Sequence, residues 1–120
     1  MMPSMLIVED EVDINDCLQQ FFSSKGFSVA SAYSGEEAVE KLQVEHPEVV
    51  LVDVMLPGLS GIEVLRKIRE AHPRTHVIMV TAVDSDDVRE QAARLGARAY
   101  ITKPFDFSED TWSPALSCAA

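Results

Sequence analysis

Apolar residues in this chain follow two periodicities that alternate along its length. Val49-Val50-Leu51-Val52 is an unbroken apolar run rich in β-branched residues, the pattern of a strand covered on both faces. It stops at Asp53, and the Met55-Leu56-Pro57-Gly58 that follows is turn chemistry, which leaves Asp53 at the carboxyl end of the strand. Met5 to Val8 is a similar short run and ends at Glu9-Asp10-Glu11. Ile14, Cys17, Leu18, Phe21 and Phe22 then recur at helical spacing, and Lys25-Gly26 supplies a cationic last turn and a glycine stop, so a helix is predicted over about Val12 to Lys25.

The alternation continues. Phe27 to Ala32 has a weaker strand pattern, suited to a sheet edge. Ser34-Gly35-Glu36-Glu37 reads as a capping box for a helix with Ala38 and Leu42 inward, closed by His46-Pro47. Ser60-Gly61-Ile62-Glu63 is a second capping box, opening a helix whose inner face is Ile62, Leu65 and Ile68 and which His72-Pro73 closes. Val77 to Val80 is a buried strand ending at Thr81. Val88, Ala92 and Leu95 mark a helix capped by Asp84 or Ser85 and stopped at Gly96. Ala99 to Thr102 is a short fifth strand that runs into Lys103-Pro104-Phe105. Strands alternating with helices imply right-handed βαβ units, hence an α/β, doubly wound, five-stranded parallel sheet. Beyond Phe105 the regularity fails. Asp106 to Pro114 has no convincing apolar stripe and Pro114 bars a long helix, so any fifth helix is short, with Trp112 anchoring the tail.

Composition narrows the functional classes. One hundred and twenty residues suit one domain able to fold without disulfides or structural metal. Twenty acidic against ten basic residues argue against nucleic-acid binding through this domain's own surface. The first residues lack a basic leader region and no apolar run approaches a membrane span, so the chain reads as soluble, away from membranes and cytoplasmic. Cys17 and Cys118 have no metal-ligand spacing, suit a reducing compartment and receive no role. Beginning near Met1, the chain is expected to be the N-terminal or only domain of its parent. His46 and His72 each precede a proline at a helix end, and chain termination accounts for them better than metal binding.

The candidate chemistry sits at strand ends. In a parallel sheet the carboxyl ends share one rim, which would gather Glu9 and Asp10, Asp53, Thr81 and Lys103. Taken singly, each has an ordinary explanation: helix N-terminal acids, a turn-forming aspartate, a strand end, a solvated charge. Together they do not. Two carboxylates about 4 Å apart repel by about 4 kcal/mol at an effective dielectric near 20. A hard dication held by carboxylates, a backbone carbonyl and water offsets that, and magnesium is the metal that commonly binds so beside phosphate. Asp53 then suits a nucleophile toward phosphorus, Lys103 a point charge on phosphoryl oxygens, and Thr81 a hydrogen-bond donor to them.

From Met5-Leu-Ile-Val-Glu-Asp-Glu through Asp53-Val-Met-Leu-Pro-Gly, Thr81-Ala and Lys103-Pro-Phe, the chain resembles the receiver domain of two-component response regulators. The resemblance implies a flavodoxin-like sheet of order 2-1-3-4-5, a receiver unit at residues 4–106 and an irregular tail or remnant of helix five at 107–120. It further implies that Asp53 is the phosphoacceptor, that Asp10 and Asp53 bind Mg2+ directly with Glu9 acting largely through water, and that Met55 adds its backbone carbonyl. Thr81 and Tyr100 would form a switch pair, and Lys103-Pro104 a cis peptide. The implied partners are a sensor histidine kinase or a phosphotransfer protein, and the implied role is a signalling switch rather than a metabolite-converting enzyme. Two departures stand out. Glu9 replaces an aspartate common in the family, and the tail does not read as the usual terminal helix. The second suggests uncovered apolar surface and a homodimer or swapped segment to cover it. Two other classes compete: an Asp-nucleophile phosphohydrolase, which usually has an acid where this chain has Met55, and a binding module that is never phosphorylated, such as a flavodoxin-like cofactor carrier.

Overall fold

The third strand, β3 (Val49–Val52), has all four residues buried, as its unbroken apolar run requires. In the computed structural model, which describes residues 2–119, it lies at the centre of a five-stranded parallel sheet of order β2-β1-β3-β4-β5. The other strands are β1 (Ser4–Val8), β2 (Ser28–Ala32), β4 (His76–Thr81) and β5 (Ala99–Thr102). Order, parallel sense and the edge position of β2 agree with the sequence reading. Among the described residues five helices join and cover the strands: α1 (Val12–Ser24), α2 (Gly35–Val44), α3 (Gly61–Ala71), α4 (Asp86–Arg94) and α5 (Glu109–Leu116), the last running into a 3-10 turn at Ser117–Ala119.

The period-2 geometry of a strand sends successive side chains to opposite faces, and two cores follow. On one face Leu6, Val8, Val50, Val52, Val77 and Met79 meet Leu42 of α2, Ile62, Leu65 and Ile68 of α3, and Ala92 of α4. On the other, Met5, Ile7, Leu51, Ile78 and Val80 meet Leu18 and Phe22 of α1 and Trp112 and Ala115 of α5. Ser34, Ser60 and Ser85 cap their helices by accepting backbone N–H bonds. Both capping boxes depart from the reciprocal form. Glu37 reaches back to the Tyr33 N–H (2.7 Å), and Glu63 turns instead to Arg66 (2.8 Å).

The C-terminus differs from the uncovered surface expected from sequence. Trp112 is fully buried, its ring edge-on to Phe22 and Phe105, and its indole N–H donates to the Asp106 carbonyl at 2.7 Å. Pro114 removes the donor that would reach the Asp110 carbonyl, but the Ser113 hydroxyl donates to that oxygen at 3.1 Å. Asp106 accepts from the Ser108 N–H and from the Ser108 and Thr111 hydroxyls, bonds that hold its carboxyl below its ordinary pKa. Arg98 ties the far end through the Pro114 carbonyl and Ser117. The short helix therefore covers its side of the sheet. Phe107, 42% exposed, is the large apolar side chain the tail leaves open among the described residues. No helix of the described residues is long and apolar enough to cross a membrane.

Candidate functional site

The parallel ladders continue one residue past the strands, and this extension builds the site. The Glu9 N–H donates to the Ala32 carbonyl (3.0 Å), the Asp53 N–H to Val8 (3.1 Å) and the Lys103 N–H to Thr81 (2.8 Å). Residues from the ends of β1, β3 and β5 are thus set in register on the rim where β4 ends at Thr81. The Lys103-Pro104 peptide is cis, as the resemblance implied.

Lys103 Nζ lies 2.7 Å from Asp53 Oδ2, 2.7 Å from Glu9 Oε1 and 3.3 Å from Glu11 Oε1. The Lys103, Asp53 and Glu9 side chains are only 11%, 5% and 2% exposed, so water screens these attractions weakly. Asp53 Oδ1 accepts from the Met55 N–H at 3.0 Å, which leaves the carboxylate held at both oxygens. Burial alone would lower the pKa of Lys103. Its contacts with Asp53 and Glu9 outweigh that and push it upward, so the ammonium is firmly charged. Burial also raises the Glu9 pKa above that of an ordinary carboxyl, against the lowering effect of Lys103 and the Glu11 N–H.

Asp10 is exposed, yet one oxygen from each of Glu9, Asp10 and Asp53 falls within 4.8 Å of the others. One ammonium shared among several acids leaves a net negative, all-oxygen donor set. Such a set fits a hard dication.

Thr81 is fully buried and its hydroxyl oxygen accepts from the Val83 N–H at 3.3 Å. The Tyr100 hydroxyl donates to the Val83 carbonyl at 2.5 Å, and Arg89 stacks 4.7 Å from the ring centre. Burial raises the Tyr100 pKa. The two residues read as a pair in the sequence therefore grip the two sides of one intervening peptide segment.

Other positioning residues escaped the sequence reading. Gly61, read only as part of a capping box, packs so closely that a Cβ there would stand 1.9 Å from the Asp53 carbonyl oxygen. Its N–H donates to the Val54 carbonyl at 2.9 Å. Glu36 accepts from the Leu59 N–H at 2.9 Å, fixing the loop after Asp53, where Gly58 adopts φ +72°. Asn15, buried in the apolar stripe of α1, donates to the Glu9 carbonyl at 2.9 Å. Glu11 occupies the N-cap position of α1 without capping it and turns its carboxylate to Lys103 instead. A polar residue breaking an apolar stripe and a glycine at a helix's first position were the available signals for Asn15 and Gly61.

The sequence profile of the response regulator receiver domain matches residues 5–110. The chain belongs to this family. Solved receiver domains agree in shape. A CheY-like receiver domain protein from Methanospirillum hungatei JF-1 is 29% identical, with a TM-score of 0.91 over 98% of this chain and 95% of that one. The BeF3-activated DrrB receiver domain is 30% identical, with a TM-score of 0.89 over 98% of this chain and 97% of that one. Intact DrrB from Thermotoga maritima, an OmpR/PhoB homologue, is 32% identical with a TM-score of 0.81. There the match covers 99% of this chain and 50% of that one. This receiver domain thus has the flavodoxin-like, CheY-type architecture of its relatives, with a fifth helix of eight residues.

Proposed function

We propose that this receiver domain takes a phosphoryl group from a histidine kinase or phosphotransfer protein onto Asp53 and changes conformation to regulate an output. The observation that carries the reading is Lys103 held at 2.7 Å from both Asp53 and Glu9 on one sheet rim. In the transfer, an Asp53 carboxylate oxygen forms the new bond to phosphorus. The donor's P–N bond breaks, and its electron pair returns to the imidazole nitrogen. The Met55 N–H fixes the rotation of the carboxylate, and Lys103 stands where phosphoryl oxygens would arrive. Glu9, Asp10 and Asp53, with the Met55 carbonyl, would hold Mg2+, which when bound supplies positive charge to the phosphoryl oxygens.

The new charge is read through Thr81. Its hydroxyl, turning toward the phosphoryl group as donor, releases the Val83 N–H, and Tyr100 is tied to the same residue through Val83's carbonyl. A loop with two arrangements biased by one group is the physical form of a switch. The domain turns over no metabolite, and a reducing cytoplasm is the compartment the reading assumes. We place the receiver unit at residues 4–106, with 107–120 as the tail that carries the short α5.

Incubation with acetyl phosphate and Mg2+, read by intact mass, tests the reading. One phosphoryl adduct is expected, absent in Asp53→Asn and absent when the metal is chelated. An adduct that persists in Asp53→Asn contradicts it.

A further inference from the structure

All three histidines of the chain gather at the end of the sheet opposite the acidic rim. His46 follows α2, His72 ends α3 and His76 begins β4. They line one cavity of about 410 Å³ together with Glu48, Thr75 and Cys118. Within it the Nδ1 atoms of His46 and His72 stand 3.3 Å apart, although 26 positions separate them in sequence. The sequence reading treated these residues as unrelated helix stops.

Two bonds of about 2.05 Å from imidazole nitrogens to one ion, opened to the tetrahedral angle, set the nitrogens about 3.3 Å apart. The observed separation equals that edge. The two histidine-bearing loops are also stitched together. Thr75 Oγ1 donates to the Pro47 carbonyl (3.0 Å), the His76 N–H to the Glu48 carbonyl (2.9 Å) and the Thr75 N–H to the His72 carbonyl (3.1 Å). Arg69 clamps the same turn through the Pro73 and Thr75 carbonyls. These bonds fix the two loops against each other, so the fold brings the two histidines together before any ion binds.

We propose that His46 and His72 form a binding site for a borderline dication of the zinc class, separate from the acidic rim. Neutral imidazole suits zinc, copper and nickel, whereas the all-oxygen rim suits magnesium, so the two sites select different ions. Both Nδ1 atoms would donate lone pairs to the ion. The open cavity admits the water molecules that complete its coordination. Without an ion, a 3.3 Å contact needs a hydrogen on one Nδ1 and a free lone pair on the other. Binding would move that hydrogen to the Nε2 of its ring, leaving both Nδ1 lone pairs for the ion.

Calorimetric titration of the whole chain with zinc chloride, in buffer carrying excess Mg2+ to hold the acidic rim, tests this. One zinc ion per chain is expected, with at least tenfold weaker binding in His46→Gln and in His72→Gln. His46 is exposed and His72 half-buried, and melting curves of the variants report whether folding is preserved. Imidazole nitrogen resonances of the unmodified protein provide an independent readout, because zinc should move the Nδ1 signals of His46 and His72. Absence of binding, binding that survives both substitutions, or resonance changes confined to other groups would each overturn the proposal.

Discussion

Gly61→Ala should damage both the fold and the phosphoacceptor site, because the added carbon meets only backbone. It would lie 1.9 Å from the Asp53 carbonyl oxygen, 2.7 Å from the Asp53 carbonyl carbon and 2.8 Å from the Val54 Cα. No side chain can swing aside. Restoring even tight contact requires α3 and the end of β3 to separate by about 1.1 Å. Forced separations of this kind cost about 3 kcal/mol, the upper end of the usual overpacking range. For a chain of this length that is a fall in Tm of roughly 12 °C. A displacement of about 1 Å at a reacting group also slows chemistry by up to ~100-fold. The assay is a thermal melt beside the initial rate of labelling by acetyl phosphate with Mg2+. Gly26→Ala is the control. Its φ of +94° strains an alanine, yet nothing lies within 4 Å and the site is remote. It should lower Tm by several degrees and leave the labelling rate unchanged. A Gly61→Ala protein that labels at the wild-type rate would refute the claimed coupling between the α3 start and Asp53.

Three further outcomes are expected. Lys103→Met leaves Glu9 and Asp53 buried without their cation, so urea unfolding in metal-free buffer should show a loss of about 3 kcal/mol, and excess Mg2+ should recover part of it; equal loss with and without Mg2+ would count against a shared acidic pocket. Burial raises the Glu9 pKa above 4.5 in the folded state, so its contribution to stability is fully present below that value and lost as pH rises through the higher folded value. In metal-free buffer the stability difference between wild type and Glu9→Gln should therefore shift in favour of wild type as pH falls toward 4.5, and a flat difference would contradict the assignment. Trp112→Ala empties the centre of the α1–α5 face and should cost about 4 kcal/mol, whereas a loss below about 1 kcal/mol would show that α5 is dispensable for packing.

The legible parts of the molecule are those set by local pattern. Val49 to Val52 announces a doubly covered strand because neither face has water to satisfy, and the acids, threonine and lysine mark strand ends because each interrupts an apolar run. Parallel topology then converges them without further information. Hidden from the sequence were contacts made by residues with another ordinary reading. Glu36 sits beside a helix cap, Glu11 resembles a dipole-favoured acid, and Gly61 falls inside a capping box. Only the tertiary approach of α2 and α3 to the loop after Asp53 gives Glu36 and Gly61 their tasks. The terminal helix was obscured for a different reason. Its stripe reduces to Trp112 and Ala115, and its proline is tolerated because the preceding serine fills the vacated acceptor. The two histidine-proline pairs illustrate the same limit, since helix termination explains each one and says nothing of their meeting.

Fluorine NMR of the protein titrated with beryllofluoride and Mg2+ tests the central claim most directly, because a phosphoryl mimic reports the assembled pocket without waiting for turnover. A single set of bound resonances is predicted, requiring the metal and lost in Asp53→Asn. Binding that persists in Asp53→Asn, or no bound resonance in wild type, would contradict the convergence of Glu9, Asp10, Asp53, Thr81 and Lys103 on one phosphoryl site.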